Sequence, residues 1–253
     1  MTHVLVPFLE APDELDEWYG EGIAEYCSAT VPYAAGLYTP QQYLRIINED
    51  ASQYSTNARR LTPDRDIPAS KWAGRNAWTL SYARGMLYFA DLDAKLRRAG
   101  SPHTVLALIR RMNQLHAAGH KLTATTWVSV LRREVGEWAV RDWQAMVDGQ
   151  LLCPVAGAFG PYFTTRSTQV GVFDLGFAQP ISLQAGGHIQ GLVADSPAAR
   201  ADLRDGDEIA TTVNLFPIYS SIDRPLTLPV RRGDSLLYSS RNGLRIDNVK
   251  FSS

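Results

Sequence analysis

The chain has 253 residues, of which 45% are hydrophobic and 20% charged, a composition typical of a folded protein of one or two domains. Its 25 basic and 26 acidic residues nearly cancel, so it has no basic field that would hold a nucleic-acid backbone. We find no cysteine framework, no signal peptide at the first residues and no apolar run long enough to span a membrane. We therefore expect a protein that binds neither nucleic acid nor a membrane; the compartment stays open, with the cytoplasm favoured, and so does the oligomeric state.

Apolar residues recur at helical spacing through the first 150 residues, and glycines, prolines and capping residues separate the runs. Thr39 and Pro40, for example, are typical of the start of a helix. The pattern predicts six helices, over residues 13–29, 41–54, 76–98, 102–119, 126–135 and 138–147.

After Gly149 the pattern changes to short β-rich runs separated by turn residues. Two of the predicted strands cover residues 188–193 and 226–230, although Pro229 argues against a central strand in the second. We predict an α+β protein in which a mainly helical domain, residues 1–155, precedes a small β-rich domain, residues 165–253.

The segment Trp18–Tyr26, WYGEGIAEY, places Glu21 between two glycines on an otherwise apolar helix. A buried carboxylate is costly unless a cation or hydrogen bonds compensate for its desolvation. Glu21 and Glu25 would equally suit the solvated face of an ordinary surface helix. The residues alone leave both interpretations open.

A second segment, Ser81–Gly85, reads SYARG within the third predicted helix. The phenol of Tyr82 can donate a hydrogen bond to a developing oxyanion without itself carrying charge. An aromatic residue at helical spacing is also a common core residue, so this position is equally consistent with packing alone.

Together, and in this order, the two segments resemble the second zinc motif and the Y-x-K/R-G element of the gluzincin metallopeptidases. The resemblance implies that Glu21 is a zinc ligand and that Tyr82 donates to the oxyanion of the tetrahedral intermediate. In these enzymes the other two ligands are the histidines of H-E-x-x-H, whose glutamate is the general base. The sequence begins Met1-Thr2-His3. His-Glu placed before it would complete that motif, so the resemblance makes His3 the second zinc histidine.

The segment Val172–Phe177, VFDLGF, resembles the carboxylate-binding loop of a PDZ domain, and residues 195–209 resemble the PDZ signature S-P-A-A-x-A-x-L-x-x-G-D-x-I. The resemblance implies that Leu175, Gly176 and Phe177 bind the C-terminus or an internal strand of a peptide ligand. Asp202 stands where glycine is common, so the turn there is expected to differ. The domain would equally serve to pack against the helices and bind nothing.

A zinc-motif helix, a Tyr-x-Arg-Gly helix and a C-terminal PDZ domain occur in this order in the glycyl aminopeptidase family. The resemblance implies the C-terminal lobe of a thermolysin-like catalytic domain, a zinc cofactor and a peptide substrate. The 253 residues contain neither the first zinc histidine nor the catalytic glutamate of H-E-x-x-H, so we expect them to hydrolyse peptides negligibly. Two alternatives stay open: a non-catalytic module that binds peptides through its PDZ domain, and a longer natural polypeptide that supplies the rest of the motif.

Overall fold

The computed structural model describes residues 17–67, 75–169, 171–177, 182–215, 226–233, 235–237, 244–246 and 249–250. These residues form seven α-helices and nine short strands, which confirms the α+β class at this coarse level. Their contacts divide them into two units, of which the first contains residues 17–67 and 76–166 and the second contains Arg75 and the described residues from Ser167 onwards. No helix in the described ranges is long and apolar enough to cross a membrane.

All six helices predicted in the first part of the chain are present, with ends shifted by a few residues. They are α1 (Glu17–Ala34), α2 (Pro40–Ser55), α3 (Arg75–Arg98), α4 (Val105–Ala117), α5 (Ala124–Glu134) and α6 (Glu137–Val147). The start of α2 shows why the caps were informative. Thr39 Oγ1 accepts a hydrogen bond from Gln42 N at 3.2 Å, and the Gln42 side chain accepts one from Thr39 N at 2.8 Å. This reciprocal pair, together with Pro40 at the first helical position, fixes the helix start.

Aromatic side chains from α1, α3 and α5 form the centre of the helical core. Trp18 packs edge-on against Tyr88, with ring centroids 5.4 Å apart, and lies nearly parallel to Phe89 at 5.9 Å. Trp127 donates from Nε1 to the Tyr88 hydroxyl at 3.3 Å, so this polar group is satisfied within the core. Large buried rings of this kind contribute strongly to packing energy.

The segment that follows α6 packs on the helices rather than forming structure of its own. The Leu152 amide donates to the Tyr54 hydroxyl and the Val155 amide donates to Asp91 Oδ1, each at 2.8 Å. Further on, the Phe163 ring lies 5.7 Å from that of Tyr43. These contacts assign the segment to the helical unit.

The second unit is built from short antiparallel strands and one helical turn. Its elements are β1 (Gly171–Val172), β2 (Ser182–Leu183), α7 (Pro197–Arg200), β3 (Glu208–Ile209), β4 (Val213–Asn214), β5 (Leu226–Leu228), β6 (Val230–Arg232), β7 (Ser235–Leu237), β8 (Leu244–Ile246) and β9 (Val249–Lys250). The described pairings are β1 with β9, β2 with β4, β5 with β8, and β6 with both β3 and β7. A core that includes Phe173, Ile189, Leu203 and Leu228 lies among them.

The sequence was informative at Pro229 and misleading at residues 188–193. β5 ends just before Pro229 and β6 begins just after it, and the two strands pair with different partners. The proline, which has no amide hydrogen, therefore lies where the chain passes from one sheet to another.

The strand predicted over 188–193 is wrong, because only His188 forms a bridge, to Glu208. Gly191 has a φ of +67°, which a regular strand does not accommodate.

Candidate functional site

Helices α1 and α3 meet at the glycines of the two sequence motifs. A Cβ atom built on Gly22 would lie 2.6 Å from the carbonyl carbon of Gly85 and would overlap its Cα. One built on Gly85 would lie 2.6 Å from the Cα of Gly22 and would overlap the carbonyl oxygen of Trp18. The two backbones are therefore in direct contact, and each position requires a residue without a side chain.

This contact places Glu21 and Tyr82 on adjoining turns of two touching helices. Glu21 immediately precedes Gly22, and Tyr82 lies three residues before Gly85, which puts it on the same face of α3. Both side chains are half-buried, and the Oε2 atom of Glu21 is shielded from solvent. The structure thus brings two of the predicted site residues to one helix crossing.

Arg84, next to Gly85, is the most deeply buried charge of the motif region, with only 1% of its surface exposed. Its guanidinium donates to the carbonyl oxygens of Arg60 at 3.1 Å and Thr62 at 2.8 Å, and to Asp64 Oδ1 at 3.4 Å. Burial lowers the pKa of Arg84, and the carboxylate of Asp64 opposes that shift. The sequence indicates Arg84 only as part of a motif, because its hydrogen-bond partners lie in the loop of residues 60–64, which has no regular pattern.

A second side-chain hydrogen bond links the same loop to α3, at a residue that precedes Tyr82 in the helix. The Asn57 side chain donates from Nδ2 to Thr79 Oγ1 at 3.4 Å, and both residues are buried. Its Oδ1 accepts from the Arg59 amide at 2.9 Å, which shapes the beginning of the loop. Tyr82 therefore lies between two anchor points, Thr79 and Arg84, that hold the loop against α3.

In the second unit, the loop of the PDZ-like motif packs directly on the start of α7. Gly176 has a φ of +83°, and a Cβ atom built there would lie 2.5 Å from Ser196 Oγ and overlap the Cβ of Ser196. Ser196 is itself the N-cap of α7, since its Oγ accepts from the Ala199 amide at 3.2 Å. Position 176 thus requires glycine, both because its φ is positive and because Ser196 leaves no room for a side chain.

Three hydrogen bonds to the backbone of Leu175 and Gly176 hold this loop in place. The Gly176 amide donates to Asp174 Oδ1 at 2.8 Å, its carbonyl accepts from the Val193 amide at 2.7 Å, and the Leu175 carbonyl accepts from the Ala198 amide at 3.1 Å. The side chains of Leu175 and Phe177 are buried in the core of the unit. Any contact of these two residues with a ligand would therefore be made by their backbone.

An ion-pair network that sequence analysis missed holds the turn after α7. Arg232 donates to Asp207 from Nε and Nη2, at 2.8 Å each, and from Nη2 to the carbonyl of Asp202 at 2.6 Å. Asp202 adopts a φ of +63°, the conformation that glycine favours at such a turn. Burial acts to raise the pKa of Asp207, but the bonds from Arg232 and from the Arg204 amide hold that pKa below its ordinary value.

The predicted site residues are thus distributed over two units. Glu21 and Tyr82 lie on the two touching helices α1 and α3 of the helical unit, residues 175–177 form the loop of the second unit, and His3 lies outside the described residues. Among the described residues, no three His, Cys, Asp or Glu side chains are grouped so as to hold a metal ion. No protein-family model matches the chain, and no curated protein sequence matches it significantly.

Proposed function

We propose that the helical unit belongs to a zinc metallopeptidase of the aminopeptidase type, related to the glycyl aminopeptidases. The direct contact between Gly22 and Gly85 is the observation that supports this. The two motifs are far apart in the sequence, and a shared active site would require their helices to be neighbours. They are in contact at the glycine of each motif, which is what a site shared by Glu21 and Tyr82 would require.

In the proposed site, Glu21 and His3 would be two of the zinc ligands, since a carboxylate oxygen and an imidazole nitrogen are donors that zinc takes. The half-buried position of Glu21 fits this role, because a sheltered carboxylate favours a bound cation. Zinc, when bound, would act as a Lewis acid on the peptide carbonyl. Tyr82 would donate a hydrogen bond to the carbonyl oxygen of the scissile peptide as its negative charge develops.

Zinc titration against a competing chromophoric chelator tests the ligand assignment on the chain itself. Two ligands give weak binding, and we expect Glu21→Gln and His3→Ala each to weaken it at least tenfold, since loss of even a group that only orients a ligand costs about 10- to 100-fold in metal affinity. Asp66→Asn, which changes an exposed acid outside α1 and α2, is the matched control and should leave the affinity unchanged. Equal zinc affinity in Glu21→Gln and the parent chain would contradict the assignment.

An extension experiment tests the missing part of the motif. Adding His-Glu before Met1 completes H-E-M-T-H, and we expect zinc affinity to rise by about two orders of magnitude as a third ligand is supplied. Adding Gln-Glu is the control with no new ligand. Hydrolysis of an aminoacyl p-nitroanilide that appears only with His-Glu, and is lost in Tyr82→Phe, would support the full proposal.

A second candidate function is peptide binding by the loop of residues 173–177. It is favoured by the close packing of Gly176 on Ser196, which holds the loop in one conformation before any ligand arrives. Fluorescence polarisation with peptides that end in a free carboxylate, and with their C-terminal amides, tests it. Saturable binding of the acids alone is expected, and the absence of binding by every peptide would exclude this function.

A further inference from the structure

Asp50 occupies a core position where α2 packs on α1. The buried residues of α2, Tyr43, Ile47, Asp50 and Tyr54, recur at helical spacing and form one stripe. At one end of this stripe the Tyr43 ring stacks on Tyr33 of α1, with centroids 4.3 Å apart and planes 6° from parallel. Asp50 is the acidic member of the stripe, and only 6% of its surface is exposed.

No cation or hydrogen bond compensates for the burial of this carboxyl in the part of the chain that the structure describes. Its Oδ2 atom is buried and has no hydrogen-bond partner there. The charged groups that act on it are Glu25, across the helix pair on α1, and Glu49, next to it on α2; both are acidic. Burial first, and then these two carboxylates, raise the pKa of Asp50 to about 8.

We propose that the α1–α2 pair is a pH-sensitive latch, closed while Asp50 is protonated and opened when Asp50 ionises beside Glu25. In the closed pair Asp50 binds its proton tightly, whereas in the open pair the carboxyl is solvated and ionises at its ordinary value of about 4. Opening therefore releases one proton to solvent wherever the pH lies between these two values. By linkage, the opening equilibrium constant rises about tenfold per pH unit over that range and levels off above about pH 8.

The latch differs from the metallopeptidase proposal and does not depend on it. It concerns the packing of α1 on α2, and it would exist whether or not any metal binds. The latch nevertheless affects the candidate zinc site, because α1 also carries Glu21. As the pH rises, the contact between α1 and α2 should open before the rest of the helical unit loses stability.

Amide hydrogen exchange measured by mass spectrometry from pH 5.5 to 9 tests the latch. After correction for intrinsic exchange rates, peptides from residues 17–34 and 40–55 should show an opening constant that rises about tenfold per pH unit up to about pH 8. Peptides from α5, residues 124–134, should show no such slope. If α5 follows the same slope as α1 and α2, the whole unit is losing stability and the latch is excluded.

Substitutions at single carboxyl groups identify which one causes the pH dependence of opening. Asp50→Asn should abolish the slope, whereas Asp66→Asn, at an exposed acid, should keep it. Glu25→Gln removes the facing charge and tests the latch even if Asp50→Asn folds poorly; it should move the plateau to lower pH. An unchanged slope in Asp50→Asn, or an unchanged plateau in Glu25→Gln, would overturn the proposal.

Discussion

Gly22 and Gly85 lie backbone against backbone, and neither position has room for even a methyl group. This one contact sets the distance between the helix of Glu21 and the helix of Tyr82. Because the neighbouring atoms belong to the backbone, no side-chain movement can relieve a larger residue at either position. The geometry of the candidate site therefore depends on two residues that have no chemistry of their own.

Substitution of Gly22 by alanine should destabilise the helical unit strongly. Overpacking a core costs typically about 1–3 kcal/mol, and the backbone clash here places Gly22→Ala at the upper end. Gly20→Ala is the matched control on the same helix, since a Cβ atom there meets nothing within 4 Å. It should stabilise the helix by up to about 1 kcal/mol, because alanine is the better helix former. Urea unfolding followed by far-ultraviolet circular dichroism measures both, and equal effects would contradict the contact.

The helices were predictable and their crossing was not, for a physical reason. Helical period and caps such as Thr39 are local, so the sequence shows them directly. The contact of Gly22 with Gly85 depends on which faces pack together, and helical spacing alone does not give the pairing. The same holds for Arg84, whose partners are carbonyl oxygens of a loop without a regular pattern.

Removal of the Arg84 guanidinium should be costly because it deletes the cation of a buried ion pair with Asp64 and the donor to two loop carbonyls. We expect Arg84→Met to reduce the free energy of unfolding by about 3–5 kcal/mol, as is typical when one partner of a buried pair is deleted. Arg65→Met makes the same chemical change at an exposed ion pair with Asp148, and should cost less than about 1 kcal/mol. Thermal unfolding of the two variants side by side distinguishes them; a similar loss in both would mean that Arg84 is not an anchor.

Two glycines of the second unit allow the energetic cost of a left-handed backbone to be measured separately from the cost of close packing. Gly176 and Gly191 both have a positive φ, at +83° and +67°, but only Gly176 is pressed against another residue, Ser196. Gly191→Ala should cost about 1–2 kcal/mol for the left-handed conformation alone. Gly176→Ala should cost clearly more, and peptides from residues 182–215 should lose amide-exchange protection. Equal loss in the two variants would show that packing on Ser196 contributes nothing.

The side chain of Asp174 should compete with a peptide carboxylate for the same loop. It accepts the Gly176 amide at 2.8 Å, so that donor is already engaged. If the loop binds C-terminal peptides, Asp174→Ala should free this amide and raise the affinity about tenfold or more, since a hydrogen bond to a charged group is worth about 1.5–3 kcal/mol. Asp195→Asn is the control: it removes a nearby acid for which the structure gives no bond to the loop amides, and asparagine tolerates the positive φ of +59° at this position. Polarisation titrations that show weaker binding in Asp174→Ala would contradict competition.

The pair of Asp207 and Arg232 gives the second unit a predictable response to acid. The pKa of Asp207 is depressed in the folded chain, so its contribution to stability is complete above the unfolded value of about 4. That contribution is lost as the pH falls through the lower, folded value. The parent unit should therefore lose stability only below about pH 4.

In Arg232→Met the sign of this dependence should reverse. Asp207 is buried, with 2% of its surface exposed, and once the guanidinium is removed we expect the effect of burial to outweigh the bond from the Arg204 amide, which raises the pKa of Asp207 above the unfolded value. Stability should then drop by about 1–3 kcal/mol at neutral pH, since the guanidinium side of the pair is partly exposed, and partly recover as the pH falls towards 4, where the carboxyl takes up a proton. Arg231→Met, which breaks only an exposed pair with Glu208, should leave the acid response of the parent chain intact. Amide-exchange protection of residues 204–215 between pH 4 and 7 measures all three chains, and protection in Arg232→Met that does not rise on acidification would refute the assignment of Asp207 as the group held by Arg232.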